Sequence, residues 1–296
     1  MKLNRRLREL IDSNKKELTL LVLLCFSLTT NAQSKENPMI EAVQKFAVST
    51  EHADKFGALP VQSSNGRMIP VNTFSSEILR KLHKSDKIGS LNSDQFLLSL
   101  LAMPDMWMRV PLIAISNSEL AGFYNLTEGQ SAYIEMFDSN GNYKLQEGVE
   151  GAYNKMPNER SRFDKDLLKL DEQVNIMHQL INGQMLNLFP KEDDPNHTWY
   201  ASGDDLSVFA GKDSMFVSRV MDWYISEVQT ALKSADWTKA NEVLGMIATY
   251  QDAKSGTLII DHEKLASEIK YNKQQVFRFT KIFYLILGGL LLVFSF

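Results

Sequence analysis

Histidine side chains are the first to consider for chemistry, because they bind metal ions and transfer protons near neutral pH. The chain has five of them, at His52, His83, His178, His197 and His262. No two stand three or four residues apart, the spacing that places a metal-binding pair on one face of a helix. Packing or solvent exposure is the favoured interpretation of each histidine, and the spacing predicts no metal site.

Acidic and thiol side chains lead to the same conclusion. Asp193-Asp194 and Asp204-Asp205 are possible calcium ligands, but the alternating acidic loop pattern is absent, and solvated loop acids are the favoured interpretation. The single cysteine, Cys25, lies in the N-terminal apolar run, so the rest of the chain has no disulfide framework, thiolate zinc site or cysteine nucleophile. Phosphate-binding glycine loops and a nucleophile elbow are also absent. The sequence predicts no catalytic residue and disfavours a hydrolase.

The charge is unevenly distributed along the chain. Residues 1–33 carry a net charge of +3 and residues 276–296 carry +2, so the total of −4 leaves −9 on residues 34–275. Binding of nucleic acid needs clustered positive charge, so the acidic middle excludes that class of partner. The positive ends are typical of segments that flank a membrane.

The N-terminus has the pattern of an export signal. Six basic residues precede a run of thirteen mostly apolar residues, Leu18 to Thr30, and Asn31-Ala32-Gln33 supplies a small-residue junction. The run is shorter than the ~20 residues that cross a bilayer comfortably. Residues 1–33 are therefore predicted to be a signal peptide, with an uncleaved signal anchor as the alternative.

The C-terminus ends in an apolar run. Residues 282–296 are fifteen uncharged residues, and extension back to Val276 gives 21, with Arg278 and Lys281 placed for snorkelling to the interface. We expect residues 276–296 to be the beginning of a truncated transmembrane helix. A complete tail anchor is the alternative.

The segment between the two apolar ends is predicted to be mainly α-helical, that is, an α+β fold with one small β-hairpin. Asn65-Gly66 between two short apolar runs favours a hairpin with a type I′ turn, and Pro60 and Pro70 restrict the runs to edge strands. We therefore expect an extracytoplasmic domain at 34–275. Its hairpin-containing part is 50–150 and its helical part is 160–275.

Apolar periodicity is strongest in the helical part. Residues at steps of four and three predict a helix of about 26 residues that ends before Pro190. A second helix at 214–233 and a third after a short turn form a helical hairpin. Asn92 or Ser93 is predicted to begin an earlier helix, and Asp261 is predicted to cap a last helix that runs unbroken into the apolar tail. The stripe on the long helix consists of Phe163, Leu167, Leu170, Val174, Met177 and Ile181.

Three segments around the predicted hairpin carry a family resemblance. They read His52-Ala-Asp-Lys-Phe-Gly-Ala-Leu-Pro-Val-Gln, then Asn65-Gly-Arg-Met-Ile-Pro-Val-Asn-Thr-Phe, then Ser76-Glu-Ile-Leu-Arg-Lys. Over residues 51–82 the chain resembles the extracytoplasmic region of fused system II cytochrome c biogenesis proteins, of the ResB/CcsB–CcsA type. Weaker similarities continue to the tail.

The resemblance implies a function in haem delivery and attachment. The chain is expected to be the non-catalytic extracytoplasmic portion of such a protein, on the periplasmic side of the inner membrane, docking apocytochrome c or bracing the membrane haem site. Its partners are expected to be apocytochrome c and a CcsA-like or ResB-like membrane protein. The family's tryptophan-rich segment and membrane histidines have no counterpart here, so haem is handled by the parent system and this chain is assigned no cofactor.

Four residues are the candidate contacts with a partner or with haem propionates. His52 and Asn72 bound the predicted hairpin, and Arg67 and Arg80 are planar bidentate donors that suit carboxylates. A purely structural hairpin and ordinary surface salt bridges are the alternative interpretations. At the level of the whole chain, the alternative function is a membrane-anchored extracytoplasmic sensor or ligand-binding module.

Overall fold

A computed structural model of the protein describes residues 37–192, 194–256, 260–274 and 276–295. The chain divides into two compact units, the larger of which is Asn37–Lys273. The described part of the smaller unit is Gln274 with residues 276–295. The predicted signal peptide or signal anchor at 1–33 lies outside the described residues.

Helices dominate the described residues, so the prediction of a mainly α fold is confirmed. The described residues form four small antiparallel strand pairs, whereas the sequence predicted one hairpin. In the larger unit the helices are α1 Pro38–Lys45, α2 Thr50–Gly57, α3 Val71–His83, α4 Ser93–Ala102, α5 Pro104–Trp107, α6 Ser118–Phe123, α7 Gln146–Tyr153, α8 Arg162–Ile181, α9 Gly211–Ser234, α10 Thr238–Lys254 and α11 His262–Gln274, which extends one residue beyond it. The strands pair in sequence as antiparallel two-stranded sheets: β1 Pro60–Gln62 with β2 Met68–Pro70, β3 Lys87–Ile88 with β4 Leu91–Asn92, β5 Pro111–Ile115 with β6 Gly129–Ala132, and β7 Phe189–Pro190 with β8 Trp199–Tyr200.

The β1–β2 hairpin forms where the sequence predicts it, and Pro60 lies opposite Pro70 in the register. Its turn differs from the type I′ prediction. A two-residue I′ turn needs positive φ at both central residues, but only Gly66, at φ 80°, has one and Asn65 does not. The chain instead closes through residues 63–67, with the Ser63 amide donating to the Arg67 carbonyl at 2.9 Å.

Two buried glutamines fix the hairpin to distant parts of the chain. The Gln62 amide nitrogen donates to the His197 carbonyl at 2.8 Å, and its oxygen accepts from the Trp199 amide at 2.9 Å. The Gln251 amide nitrogen donates to the carbonyls of Pro60 at 3.0 Å and Leu188 at 2.9 Å. Short strands satisfy few of their backbone hydrogen-bonding groups by pairing, and the two glutamine side chains supply further partners for the backbone.

Side-chain caps set two helix ends as the sequence predicts. Asn92 begins α4 with a capping box, in which its side chain accepts from the Gln95 amide at 2.9 Å and the Gln95 side chain accepts from the Asn92 amide. Asp261 accepts from the Lys264 amide at 2.9 Å at the start of α11. Both caps satisfy amides that the first helical turn leaves without partners.

The long helix α8 is shorter than predicted. It has 20 residues and ends at Ile181, whereas the apolar stripe predicted about 26 residues. The reason is Gly183, whose φ of 71° takes the backbone into the left-handed region that terminates helices. The apolar residues beyond it, Leu186 and Leu188, are buried outside any helix.

The predicted helical hairpin is present as α9 and α10. Helix α9 ends at Ser234, the next residue, Ala235, adopts a left-handed φ of 60°, and α10 begins at Thr238. Both helices contribute to the main hydrophobic core of the larger unit. The largest fully buried side chains of that core include Trp107, Tyr224, Phe56, Phe96 and Phe189.

In the smaller unit, helix α12 spans Val276–Ser295. It contains Arg278 and Lys281 in its first two turns, so its uncharged part begins only at Ile282. Of the helices that the structure describes, none is long and apolar enough to cross a membrane. The predicted transmembrane helix at 276–296 is therefore not supported.

Candidate functional site

A buried carboxyl group lies at the centre of the polar contacts that join the hairpin region to the C-terminal helix of the larger unit. Asp94 belongs to the first turn of α4 and is only 2% exposed. It accepts hydrogen bonds from the Asn72 amide nitrogen at 2.6 Å and from the Ser75 hydroxyl, both on α3. Burial raises the pKa of Asp94, and these two hydrogen bonds oppose that shift in part.

The last residue of α2 leaves room for this carboxyl. A Cβ atom on Gly57 would lie 2.6 Å from an Asp94 carboxylate oxygen and 2.8 Å from its Cγ. Helices α2, α3 and α4 therefore meet around one acid, and the absence of a side chain at Gly57 allows the approach.

Asn72 connects the buried acid to α11. Its side-chain oxygen accepts from the Asn272 amide nitrogen at 3.2 Å, while its own amide nitrogen donates to Asp94. Asn272 also donates to the Thr73 hydroxyl at 2.8 Å, and Thr73 donates to Glu268 at 2.7 Å. The first turn of α3 is thus paired with α11 across some 200 residues of sequence.

Two ion pairs border these hydrogen bonds. Arg67, in the hairpin turn, pairs with Glu268, and Lys273 pairs with Asp54 of α2 at 2.8 Å. We define the α11 junction as Asp54, Arg67, Asn72, Thr73 and Asp94 on the domain body, with Glu268, Asn272 and Lys273 on α11. The junction joins the turn, α2, α3 and α4 to one face of α11.

The structure places two of the four predicted contact residues, Arg67 and Asn72, in the α11 junction. His52 lies elsewhere. It is 1% exposed, and its ring nitrogens lie 3.0 Å from the Asn241 side-chain oxygen and 2.9 Å from the Tyr224 hydroxyl. Burial lowers the pKa of His52, which favours the neutral ring. His52 therefore ties α2 to the α9–α10 hairpin.

Arg80 lies at the other end of α3 from the α11 junction. It pairs with Asp86 at 2.9 Å, and about 14 Å of helix separates position 80 from the start of α3. Arg67 and Arg80 thus do not form one binding site. Arg80 borders a groove of about 410 Å³ between α3 and α8. The lining residues are Glu77, Arg80, Lys81, Lys84, Lys169, Glu172, Gln173 and Ile176.

Sequence reasoning missed Asp94, Glu268 and Asn272. Asp94 is the acid of a first helical turn, and nothing local indicates that the carboxyl is buried. Glu268 and Asn272 stand four residues apart, which places them on one helix face, but a polar face is usually solvated. In the described ranges, no three His, Cys, Asp or Glu side chains are grouped to hold a metal ion.

Comparison with known proteins shows a relative of this chain along nearly its whole length. No family model matches the sequence. The chain is 30% identical to Protein NrfI of Wolinella succinogenes over 298 residues, which covers 98% of the chain and 32% of NrfI. The chain therefore spans about a third of the length of the relative that it matches.

This comparison corrects the family assignment made from the hairpin segments. That assignment rested on residues 51–82, whereas the similarity to Protein NrfI extends along nearly the whole chain. The relative found is Protein NrfI, and no family model places the chain among fused ResB/CcsB–CcsA proteins. The chain is therefore not assigned to that family, and what it shares with a known protein is its similarity to Protein NrfI.

Proposed function

We propose that the protein takes part in cytochrome c maturation, as a non-catalytic domain of the machinery that attaches haem to apocytochrome c. The observation that carries the proposal is the similarity to Protein NrfI over 98% of the chain. In this proposal the partner is an apocytochrome c, and the domain works on the periplasmic side of the inner membrane.

The geometry of the α11 junction supports a docking or bracing role. Arg67 donates to Glu268, and Asn72 and Thr73 accept from Asn272, so these contacts hold α11 against the hairpin region. The net charge of −9 on residues 34–275 favours association with a polypeptide that carries positive charge. Both features suit a domain that binds or positions a partner.

A deletion in the host organism tests the proposal. Residues 37–273 are removed in frame, and covalent haem is measured on the host's c-type cytochromes by haem staining of denaturing gels. We expect haem-bearing cytochrome to be lost while the apocytochrome polypeptide is still made, and the full chain supplied from a second copy to restore it. A periplasmic protein without haem serves as the control for export. Unchanged haem staining in the deletion strain would contradict the proposal.

Direct binding gives a second test. The full chain is titrated with an apocytochrome c polypeptide and, separately, with the same cytochrome after haem attachment. A docking role predicts tighter binding to the apo form. Equal binding to both forms, or binding to neither, argues against recognition of the unmatured polypeptide.

A further inference from the structure

Helix α11 is attached to the domain body by few apolar contacts. All thirteen of its residues are described, and Leu265 is the buried one. Leu265 packs with Trp199, Ile260 and the partly buried Met68 in a small cluster that is separate from the main hydrophobic core. Because burial of apolar surface supplies most of the stability of a docked helix, α11 is held less strongly than the core helices.

Further attachments of α11 are polar. At its start, His262 Nε2 lies 2.9 Å from a carboxylate oxygen of Asp252 on α10, and both side chains are more than half exposed. Glu268, Asn272 and Lys273 make the contacts of the α11 junction. The flanking ion pairs are partly solvated, since the side chain of Arg67 is 55% exposed and that of Lys273 is 50% exposed. Water can replace such partners at small cost, and salt screens them.

We propose that α11 is a releasable strap, which detaches from the α11 junction as a unit while the rest of the larger unit stays folded. Release uncovers amides, hydroxyls and charged side chains, which are compatible with water, together with the small apolar cluster around Leu265. By contrast, release of α4 would expose its apolar residues Phe96, Leu97 and Leu98, which are fully buried. The opening of α11 is therefore much less costly than the unfolding of the core.

Release frees a helix of thirteen residues, about 20 Å long, from the domain body.

Hydrogen exchange on the full chain tests the strap. We expect the amides of α11 to exchange through an opening at least about 100-fold more frequent than the opening of α4 in the same sample. We expect Glu268→Gln, which weakens the contacts with Arg67 and Thr73, to raise exchange in α11 about fivefold further and leave α4 unchanged. High salt should act in the same direction on the wild type.

Lys270→Gln is the control. Lys270 lies on the same helix, outside its first and last turns, is exposed, and its side chain has no hydrogen bond or ion pair with any residue that the structure describes, so removal of its charge should leave exchange unaltered. Exchange of α11 at the rate of α4 would overturn the proposal. Equal effects of the two glutamine variants would also overturn it. Because the readout is amide exchange, it does not depend on the proposed function.

Discussion

Replacement of Gly57 by alanine tests whether the buried carboxyl determines how α2, α3 and α4 pack. The new Cβ would meet Asp94 at 2.6 Å from one carboxylate oxygen, 2.8 Å from Cγ and 3.3 Å from the other oxygen. Asp94 cannot move into solvent because it is 2% exposed, and it is held by Asn72 and Ser75. The clash must be relieved by a shift of α2 or by loss of these hydrogen bonds.

The cost follows from these contacts. Overpacking of a buried site costs about 1–3 kcal/mol, and each hydrogen bond that is weakened adds about 1 kcal/mol. The higher helix propensity of alanine returns at most about 1 kcal/mol at the end of α2. The net loss is about 1–3 kcal/mol, which lowers the melting temperature of a unit of this size by roughly 3–10 °C.

Thermal unfolding of the full chain, followed by circular dichroism, measures this loss. Gly151→Ala in α7 is the matched control, because a Cβ there meets nothing within 4 Å and the helix should be unchanged or slightly stabilised. Adding Asp94→Ala to Gly57→Ala should give a loss smaller than the sum of the single losses, since the clash is then absent. If Gly57→Ala melts at the wild-type temperature or above it, the packing argument is refuted.

Three further outcomes follow from buried polar groups. Gln251→Leu leaves the carbonyls of Pro60 and Leu188 without their donor and should lower the free energy of unfolding by about 2 kcal/mol in a urea titration. The pKa of Asp94 is raised in the folded state, so the folded state binds this proton more tightly than the unfolded state does. The resulting stability is present below pH 3.8 and is lost as the pH rises through the folded pKa. Asp94→Asn should flatten that part of the stability–pH curve. The lowered pKa of His52 has the opposite sign, so stability should fall as the pH drops below 6.5, and less steeply in His52→Gln.

The sequence predicted the features that local chemistry determines. The Asn92 cap, the Asp261 cap and the helical hairpin depend on residues close together in the chain, and the structure contains each of them. The predicted length of α8 was too great because the apolar spacing continues beyond Gly183, whereas the left-handed conformation of Gly183 ends the helix. Local sequence patterns thus predicted which helices form more reliably than where each helix ends.

The α11 junction depends on non-local contacts and was not predictable in the same way. Asn72 and Asn272 are 200 positions apart, and Arg67 and Glu268 are 201 apart. A carboxyl such as Asp94 is buried only because distant groups solvate it, and an isolated sequence contains no record of that arrangement. Of the residues singled out by motif, Arg67 and Asn72 lie in the junction, but their partners on α11 were not among those residues.

Variants of Arg67 and of its partner Glu268 can distinguish a direct role of the hairpin in partner binding from an indirect one. Arg67 lies in the exposed hairpin turn and also pairs with Glu268, so its loss affects both the surface and the strap. Glu268→Gln weakens the strap and leaves the guanidinium in place. If the hairpin contacts a partner, Arg67→Ala must impair haem attachment in the host more than Glu268→Gln does. If the two variants impair it equally, the hairpin acts through the docking of α11, because the loss of that shared contact is then sufficient to explain both defects.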